Sequence, residues 1–417
     1  MKQMPFLLCS WILLTGALLI ADAQTAQPQW PGWLGPNRNG QVANVDTPAT
    51  WPASLKRVWQ VEVGEGYASP LVDGKRVYQH ARIGAEEVVS CLDLSTGKLL
   101  WREGEDVSFT MGGGGLSHGK GPKATPVLAD GMMFTHGIAG KLSARKLDNG
   151  ALVWSKDFLK RFEKNRPYWG ASYSPLVDQS RVYIHPGHEN DGALLALDCK
   201  TGKEIWSSEV VGPSYSSPFA LDFGGVRQVV EWNHEDLVGL NAKTGQVLWR
   251  FHFPHRGTSQ NTPTPIFHQG NILVGGENRG IRSMALKQND GTWTIEQRWF
   301  QKQVVPDMAT AVINGDRFFG LSEKKRGQFF CLDANTGKII WLSSGRIAQH
   351  ASFLSIPGFV LALLDDGELQ LLHPTADTYK AVHTYQVSNG QTWTPPVLLN
   401  EGLLIKDKNT LSLLSWK

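Results

Sequence analysis

Charge of either sign is scarce in this chain. The 417 residues include 41 Lys and Arg against 38 Asp and Glu, and charged residues make up 19% of the total. Nucleic-acid-binding proteins concentrate Lys and Arg on one surface, and disordered chains combine low hydrophobicity with high net charge. The composition, which is 41% hydrophobic, therefore excludes a disordered chain and argues against a nucleic-acid-binding protein.

Cysteine is also scarce. Only Cys91, Cys199 and Cys331 follow the first 24 residues, and an odd number of cysteines cannot pair completely within one chain. Cys91 and Cys331 occupy equivalent positions, each two residues before an Asp in a repeated phrase. This arrangement favours buried thiols over a disulfide. The sequence also lacks a Cys-x-x-Cys-His haem motif and an adjacent pair of cysteines.

Long hydrophobic runs are absent beyond the N-terminus. Residues 6–20 form an apolar run that follows Lys2 and precedes the sequence Ala-Asp-Ala at 21–23. This is the pattern of a cleaved signal peptide, and the run is too short to span a bilayer comfortably. We therefore predict a signal peptide at residues 1–23 and an exported, periplasmic protein that does not span the membrane.

Tryptophan, by contrast, is abundant, with 16 residues, and many of them end a repeated phrase. The phrase reads Leu-Asp-Leu-Ser-Thr-Gly-Lys-Leu-Leu-Trp in its first copy. A second phrase, Ser or Thr followed by Pro and apolar residues, precedes it by roughly 20 to 30 residues and has eight starts along the chain when degenerate copies are included. The tryptophans at the ends of the repeats are Trp101, Trp154, Trp206, Trp249 and Trp341.

Each repeat predicts four short strands. The Ser/Thr-Pro phrase opens the first strand, and the Asp-x-x-Thr-Gly turn joins the third strand to a fourth strand that ends at the Trp. Glycine fits a left-handed position in this turn, where a Cβ would clash. We expect the Trp to dock against the neighbouring repeat.

Four-stranded repeats of this length indicate a β-propeller. We predict an all-β fold with one domain over residues 51–417, an eight-bladed ring of four-stranded antiparallel blades, preceded by an N-terminal segment at 24–50. The last repeat lacks its fourth strand, and the sequence around Trp59 supplies an unpaired strand, so both ends of the chain would form one closing blade. Seven blades are the alternative, because two repeats are degenerate.

The Asp-x-x-Thr-Gly-x-x-x-Trp phrase resembles the tryptophan-docking repeat of the pyrroloquinoline quinone (PQQ) propellers over nearly the whole mature chain. That superfamily contains quinoprotein alcohol and glucose dehydrogenases. It also contains the non-enzymatic propeller lipoprotein of the outer-membrane β-barrel assembly machinery. The resemblance to the dehydrogenases implies PQQ and Ca²⁺ as cofactors, but this chain lacks their adjacent cysteine pair and a recognisable set of Ca²⁺ ligands.

The innermost strand of each propeller blade begins near the axis, so residues just before each Ser/Thr-Pro should surround one mouth of the central channel. Aromatic, amide and singly charged side chains there suit a small polar ligand or a loop of a partner protein. A solvated mouth without a ligand is the alternative. The candidate ligand-binding residues are Tyr67, Lys123, Trp169, Tyr215, Asn261, Asp307, His350 and Trp393.

The sequence shows no complete catalytic set. Asp307 and His350 open adjacent blades and are weak candidates for an acid–base pair. A glycine-rich insert at 111–121 predicts either a flap over the mouth or a plain loop. Residues 185–191 carry His and carboxylate side chains whose spacing fits no known metal geometry, so we predict no metal site.

Together these features predict a monomeric scaffold of the cell envelope that binds an envelope protein or a small polar ligand and has no catalytic role. The alternative function is a PQQ-dependent oxidoreductase that acts on alcohols or sugars.

Overall fold

The computed structural model describes Met1 and residues 29–43, 45–208, 210–257, 260–306, 308–400 and 402–417. Apart from Met1, the predicted signal peptide lies outside the described residues. Across these ranges, none of the helices has the length and apolar character needed to cross a bilayer.

Eight four-stranded antiparallel sheets form the ring, which confirms the predicted eight-bladed propeller. In blades 1 to 7, strands a to d follow one another in the chain and in the sheet, with strand a innermost; in blade 8, strand d comes from the N-terminal part of the chain. Blades 1 to 4 comprise Leu71–Asp73, Arg76–Ile83, Glu86–Asp93 and Leu99–Asp106; Val127–Ala129, Met132–His136, Leu142–Lys146 and Leu152–Lys156; Leu176–Asp178, Arg181–Ile184, Leu194–Asp198 and Glu204–Ser208; and Phe219–Phe223, Val226–Trp232, Asp236–Asn241 and Val247–His252.

Blades 5 to 8 comprise Ile266–His268, Asn271–Gly276, Gly280–Asn289 and Thr292–Gln301; Val312–Asn314, Arg317–Ser322, Gln328–Asp333 and Ile339–Leu342; Ala351–Ile356, Phe359–Leu364, Glu368–Leu372 and Ala381–Gln386; and Val397–Leu399, Gly402–Lys406, Thr410–Ser415 and Lys56–Glu62. The remaining elements are a strand at Gln29–Trp30, a hairpin of Gly187–His188 with Asp191–Gly192, and short 3₁₀ helices at Gly113–His118 and Lys324–Arg326.

The Thr-Gly turns are built as the sequence indicates. In blade 1, Asp93 Oδ1 accepts hydrogen bonds from the backbone N–H of Thr96 at 2.9 Å and from its hydroxyl at 2.7 Å. Gly97 has a φ of 70°, and a Cβ there would lie 2.8 Å from the indole ring of Trp59. Glycine is therefore required twice, by the left-handed backbone and by the Trp that covers it.

Tryptophans of strand d cover the turn of the next blade. Trp154 lies over Gly202 and donates its Nε1–H to the Cys199 carbonyl at 2.8 Å. The same indole-to-carbonyl bond runs from Trp206 to Ala242 and from Trp341 to Ala376. Trp101 covers Gly150 in the same way. Trp59 and Trp299, which were not among the predicted docking residues, likewise cover Gly97 and Gly337.

Trp249 differs from the other tryptophans of the repeat. It packs in the apolar cluster between blades 4 and 5, but its Nε1–H binds Gln228 of its own blade at 2.8 Å. Blade 5 has a long hairpin over 280–301 in place of a Thr-Gly turn, so no equivalent turn receives the indole. Trp249 therefore packs between the two blades without the indole-to-carbonyl hydrogen bond that Trp154, Trp206 and Trp341 make.

The closing blade joins both ends of the chain. Strand Lys56–Glu62 pairs with Thr410–Ser415, as predicted. Lys406, fully buried, lies beside this seam, and its Nζ donates to the carbonyls of Gly64, Gly66, Asp407 and Lys408. One ammonium group therefore ties the N-terminal strand to the C-terminal blade.

The N-terminal segment lies inside the ring, which the sequence did not predict. Its strand Gln29–Trp30 pairs with Leu71–Asp73 on the inner edge of blade 1. The Pro31 carbonyl accepts the Leu128 N–H of blade 2, and Trp33 Nε1–H donates to the hydroxyl of Thr264 in blade 5.

The later part of this segment contacts the remaining inner strands. The Arg38 guanidinium donates to the carbonyls of Ser174 and Pro175 in blade 3 at 3.0 Å and of Pro218 in blade 4 at 3.1 Å. Gln41 donates to the Ile313 carbonyl of blade 6 and bridges to Ser355 of blade 7. Because residues 29–42 contact the inner strands of blades 1 to 7, they occupy the axis and fill the channel. We call residues 29–42 the channel segment.

Candidate functional site

A cavity of about 340 Å³ opens at the end of the axis where the inner strands begin. The channel segment supplies its floor through Trp33 and Leu34. The cavity is therefore a cup with a closed floor. Its other lining residues are Tyr67, Gly115, His118, Lys123, Trp169, Ser172, Tyr215, Ser217, Gln260, Thr262, Thr264, Glu277, Met308, Thr310, His350, Ser352, Phe353, Trp393 and Pro395.

Six of the eight predicted mouth residues line this cup: Tyr67, Lys123, Trp169, Tyr215, His350 and Trp393. Asn261 does not. Its side chain is fully buried and donates to the carbonyls of Asn233 at 2.6 Å and His234 at 3.1 Å. Its neighbours Gln260 and Thr262 line the cup instead, because successive side chains of an extended segment point in opposite directions. Asp307 lies outside the described residues.

One wall of the cup is a cluster of aromatic rings. The imidazole of His350 stacks on the indole of Trp393, with centroids 4.6 Å apart and planes 3° apart. His118 meets the same indole edge-on at 4.3 Å, and Tyr67 lies 6.4 Å from it. Burial lowers the pKa of His350 to about 4, so its ring is neutral at neutral pH and presents a flat, uncharged surface.

The opposite wall contains Trp169 and Tyr215, whose ring centroids lie 5.9 Å apart. The Tyr215 hydroxyl accepts the backbone N–H of Trp169 at 3.1 Å, which fixes both residues. Lys123 lies beside this wall, and its Nζ donates to the Trp169 carbonyl at 3.4 Å. Burial lowers the pKa of Lys123 to about 8. Within the described residues no carboxylate pairs with this ammonium, so an acidic group entering the cup would meet a poorly solvated cation.

The glycine-rich insert contributes to the mouth. Residues Gly113–His118 form a 3₁₀ helix that brings Gly115 and His118 to the cup. Glu65 holds the end of the insert by accepting the backbone N–H of Lys120 at 3.1 Å. The insert is thus part of the mouth, while the predicted motion of a flap stays a prediction.

The residues of the second insert, 185–191, are not brought together around one point. His185, which follows strand b of blade 3, is fully buried, and its Nδ1 lies 2.7 Å from Oε1 of Glu231 in the neighbouring blade 4. His188 and Glu189 lie on the hairpin outside it, with Nδ1 and Oε2 3.9 Å apart. The Glu189 carboxylate accepts the backbone N–H of Tyr168 at 2.8 Å.

The cup does not fit a bound quinone with Ca²⁺. Cys91, Cys199 and Cys331 are free thiols buried in three different blades, and none of them lines the cup. Glu277 is the one carboxylate among the described lining residues, whereas Ca²⁺ takes six to eight oxygen ligands, several of them usually carboxylates. The described lining of the cup therefore does not supply the ligands that a quinone with Ca²⁺ needs.

Comparison with known proteins gives the family. A family model described as outer membrane protein assembly factor BamB matches residues 85–343. The chain belongs to this family. It is 26% identical to BamB of Shewanella oneidensis over 258 residues, which is 58% of this chain and 62% of that protein. It is 27% identical to BamB of Kangiella koreensis over 186 residues, 45% of this chain and 42% of that protein. The matches thus span less than two thirds of either relative.

Solved structures share the fold. BamB from Moraxella catarrhalis has a TM-score of 0.64 at 15% identity, covering 88% of this chain and 98% of that one. The quinohemoprotein alcohol dehydrogenase from Comamonas testosteroni has a TM-score of 0.67 at 12% identity, covering 93% and 80%. At such identities these likenesses show the propeller fold alone, since propellers carry many unrelated functions.

Proposed function

We propose that this protein is a non-catalytic scaffold of the cell envelope that binds a partner protein through the cup. The cup carries the proposal, because its closed floor, its two aromatic walls and one unpaired lysine converge on a single volume. Aromatic side chains are the usual anchors of protein interfaces when they fill such concave sites.

The family relationship supports the same function. The relatives from Shewanella and Kangiella are named as factors of outer membrane protein assembly. Their names favour an envelope location and a protein partner for this chain. The predicted signal peptide agrees with a periplasmic location.

The walls suggest what the partner presents. Two sides of the cup offer flat apolar surfaces: Trp393 with His350 on one side, and Trp169 with Tyr215 on the other. Lys123 offers a cation whose partial burial strengthens its attraction to a carboxylate. A loop that carries an aromatic or aliphatic side chain next to an Asp or Glu fits these groups.

A PQQ-dependent oxidoreductase is less well supported. The two quinohemoprotein alcohol dehydrogenase neighbours match at only 11% and 12% identity, and the described lining of the cup provides neither a cysteine pair nor a set of carboxylates. Purified protein incubated with PQQ and Ca²⁺ should therefore reduce no dye with alcohols or sugars. Saturable turnover in this assay would contradict the scaffold function.

Truncating an aromatic side chain in either wall should strongly weaken partner capture. We expect Trp393→Ala and Tyr215→Ala each to weaken binding by about 2 kcal/mol or more, as for buried aromatic hot spots. The measurement is recovery of one defined partner from envelope extract by the tagged mature protein, quantified against the parent. The matched control is Lys243→Ala, an exposed residue in the Thr-Gly turn at the opposite rim.

The control should recover the partner as well as the parent does, and thermal melts should show that all variants are folded. Equal recovery with Trp393→Ala and the parent would show that the partner binds elsewhere on the propeller.

A further inference from the structure

A cluster of two histidines and a glutamate lies at the mouth end of blade 4. His234 and Glu235 belong to the loop between strands b and c, and His255 follows strand d. One ligand atom from each of the three residues lies within 4.8 Å of the others. The sequence did not suggest this group, because 21 positions separate the two histidines.

We propose that His234, Glu235 and His255 form a Zn²⁺ site with three protein ligands and an open fourth position. Two imidazoles and one carboxylate are a ligand set that Zn²⁺ takes in proteins, with bonds of about 2.0 to 2.2 Å. Ca²⁺ and Mg²⁺ prefer oxygen ligands throughout and fit this set poorly.

The distances fit a metal better than a hydrogen-bonded cluster. Glu235 Oε1 lies 3.6 Å from His234 Nδ1 and 3.5 Å from His255 Nδ1. Ligand atoms about 2.1 Å from a tetrahedral ion lie about 3.4 Å from each other. The hydrogen-bonded pair of His185 and Glu231 in the same chain is much shorter, at 2.7 Å.

The two nitrogens also lack any other use. Nδ1 of His234 and Nδ1 of His255 are both buried without a hydrogen-bond partner among the described residues. The His234 side chain is 5% exposed, and a buried nitrogen without a partner is costly unless something binds it.

The backbone already holds the ligands in place. Asn233 Oδ1 accepts the N–H groups of Glu235 at 3.0 Å and Asp236 at 2.8 Å. The His255 N–H donates to the His234 carbonyl at 3.1 Å. Asn261 donates to two carbonyls of this loop, so the predicted mouth residue that does not reach the cup supports the cluster instead.

One ring must move for an ion to bind. The imidazoles are stacked, with centroids 3.7 Å and planes 14° apart, so their lone pairs run side by side. His255 is the more exposed ring, at 26% against 5% for His234, and it follows the end of a strand. Binding of one ion by both nitrogens therefore requires the His255 ring to tilt out of the stack. The partial exposure of Glu235, 30%, leaves room for a fourth ligand from solvent or from a partner.

Calorimetric titration of the metal-stripped mature protein with Zn²⁺ tests the site. We expect one saturable site per chain, and no binding of Ca²⁺. Loss of a residue that only hydrogen-bonds a metal ligand typically weakens metal binding by about 10- to 100-fold. Because His255 and Glu235 are ligands themselves, His255→Asn and Glu235→Gln should each weaken Zn²⁺ binding by more than this. The control His383→Asn removes a histidine of blade 7 and should leave affinity unchanged.

Co²⁺ gives a second readout that does not depend on the variants. A single bound Co²⁺ in the parent protein should show the intense visible absorption of a four-coordinate ion, and Zn²⁺ should displace it. A weak six-coordinate spectrum, the absence of saturable binding, or equal affinity in His255→Asn, Glu235→Gln and the parent would each overturn the proposal.

Discussion

Replacing Lys406 with Met should lower the free energy of unfolding by about 3–5 kcal/mol, because it leaves buried carbonyls without a donor at about 1–3 kcal/mol each. The Lys406 ammonium donates to four carbonyls beside the seam of blade 8. The Lys408 carbonyl also accepts the Gly66 N–H, so the change deprives the carbonyls of Gly64, Gly66 and Asp407. Met fills a similar volume, so little of the loss comes from a cavity.

Lys408→Met is the matched control for this experiment. Lys408 lies two residues further along, and its side chain is 34% exposed. Its loss should change stability by no more than about 0.5 kcal/mol, as is usual for surface positions. Urea unfolding followed by tryptophan fluorescence measures both variants. Equal midpoints for Lys406→Met and the parent would show that the ammonium does not hold the ring closed.

Trp206→Ala should destabilise the protein by about 3–5 kcal/mol, the usual cost of truncating a large aromatic residue in a packed site. The Trp206 indole is 8% exposed, covers Gly245 of blade 4 and donates to the Ala242 carbonyl at 3.1 Å. Its removal takes away the contact between two blades along with the apolar area.

The adjacent residue provides the control. Ile205 points away from the blade interface and is 45% exposed. Ile205→Ala should cost less than about 1 kcal/mol, the range of strand propensity at such sites. Thermal melts at matched concentration compare the two variants. If both melt with the parent, the Trp does not stabilise the contact between blades.

The repeat made the fold predictable. Asp, Thr and Gly recur at fixed spacing because they build one turn, and Trp recurs because its indole covers the turn of the next blade. The pattern therefore specifies both the four strands of a blade and its contact with a neighbouring blade. The closing blade was predictable for the same reason, since the last repeat lacks a strand that the sequence around Trp59 supplies.

The channel segment was not predictable from the same evidence. Arg38, Gln41 and Trp33 bind carbonyls and a hydroxyl of the inner strands, and no sequence period marks such partners. The floor of the cup therefore appeared only with the structure. Six of the predicted mouth residues line the cup. Asn261 does not, because side chains of an extended segment alternate in direction and its neighbours Gln260 and Thr262 point into the cup instead.

The histidine cluster depends on the register of one hairpin. Strands c and d of blade 4 pair Asp236 with His252. Glu235 directly precedes Asp236, and His255 lies three residues beyond His252, close enough to contact Glu235. The repeat marks strands c and d of blade 4 but does not give their register at the far end of the hairpin. Without that register the sequence does not bring the two histidines together.

The central claim is that the cup binds the partner protein, and site-specific photocrosslinking tests it most directly. A photoreactive phenylalanine analogue is placed at Met308, which lines the cup and is 49% exposed, and separately at Lys243 on the opposite rim. Irradiation in intact cells should give one discrete protein adduct from position 308 and none from position 243. An adduct from position 243 with none from position 308 would contradict the account.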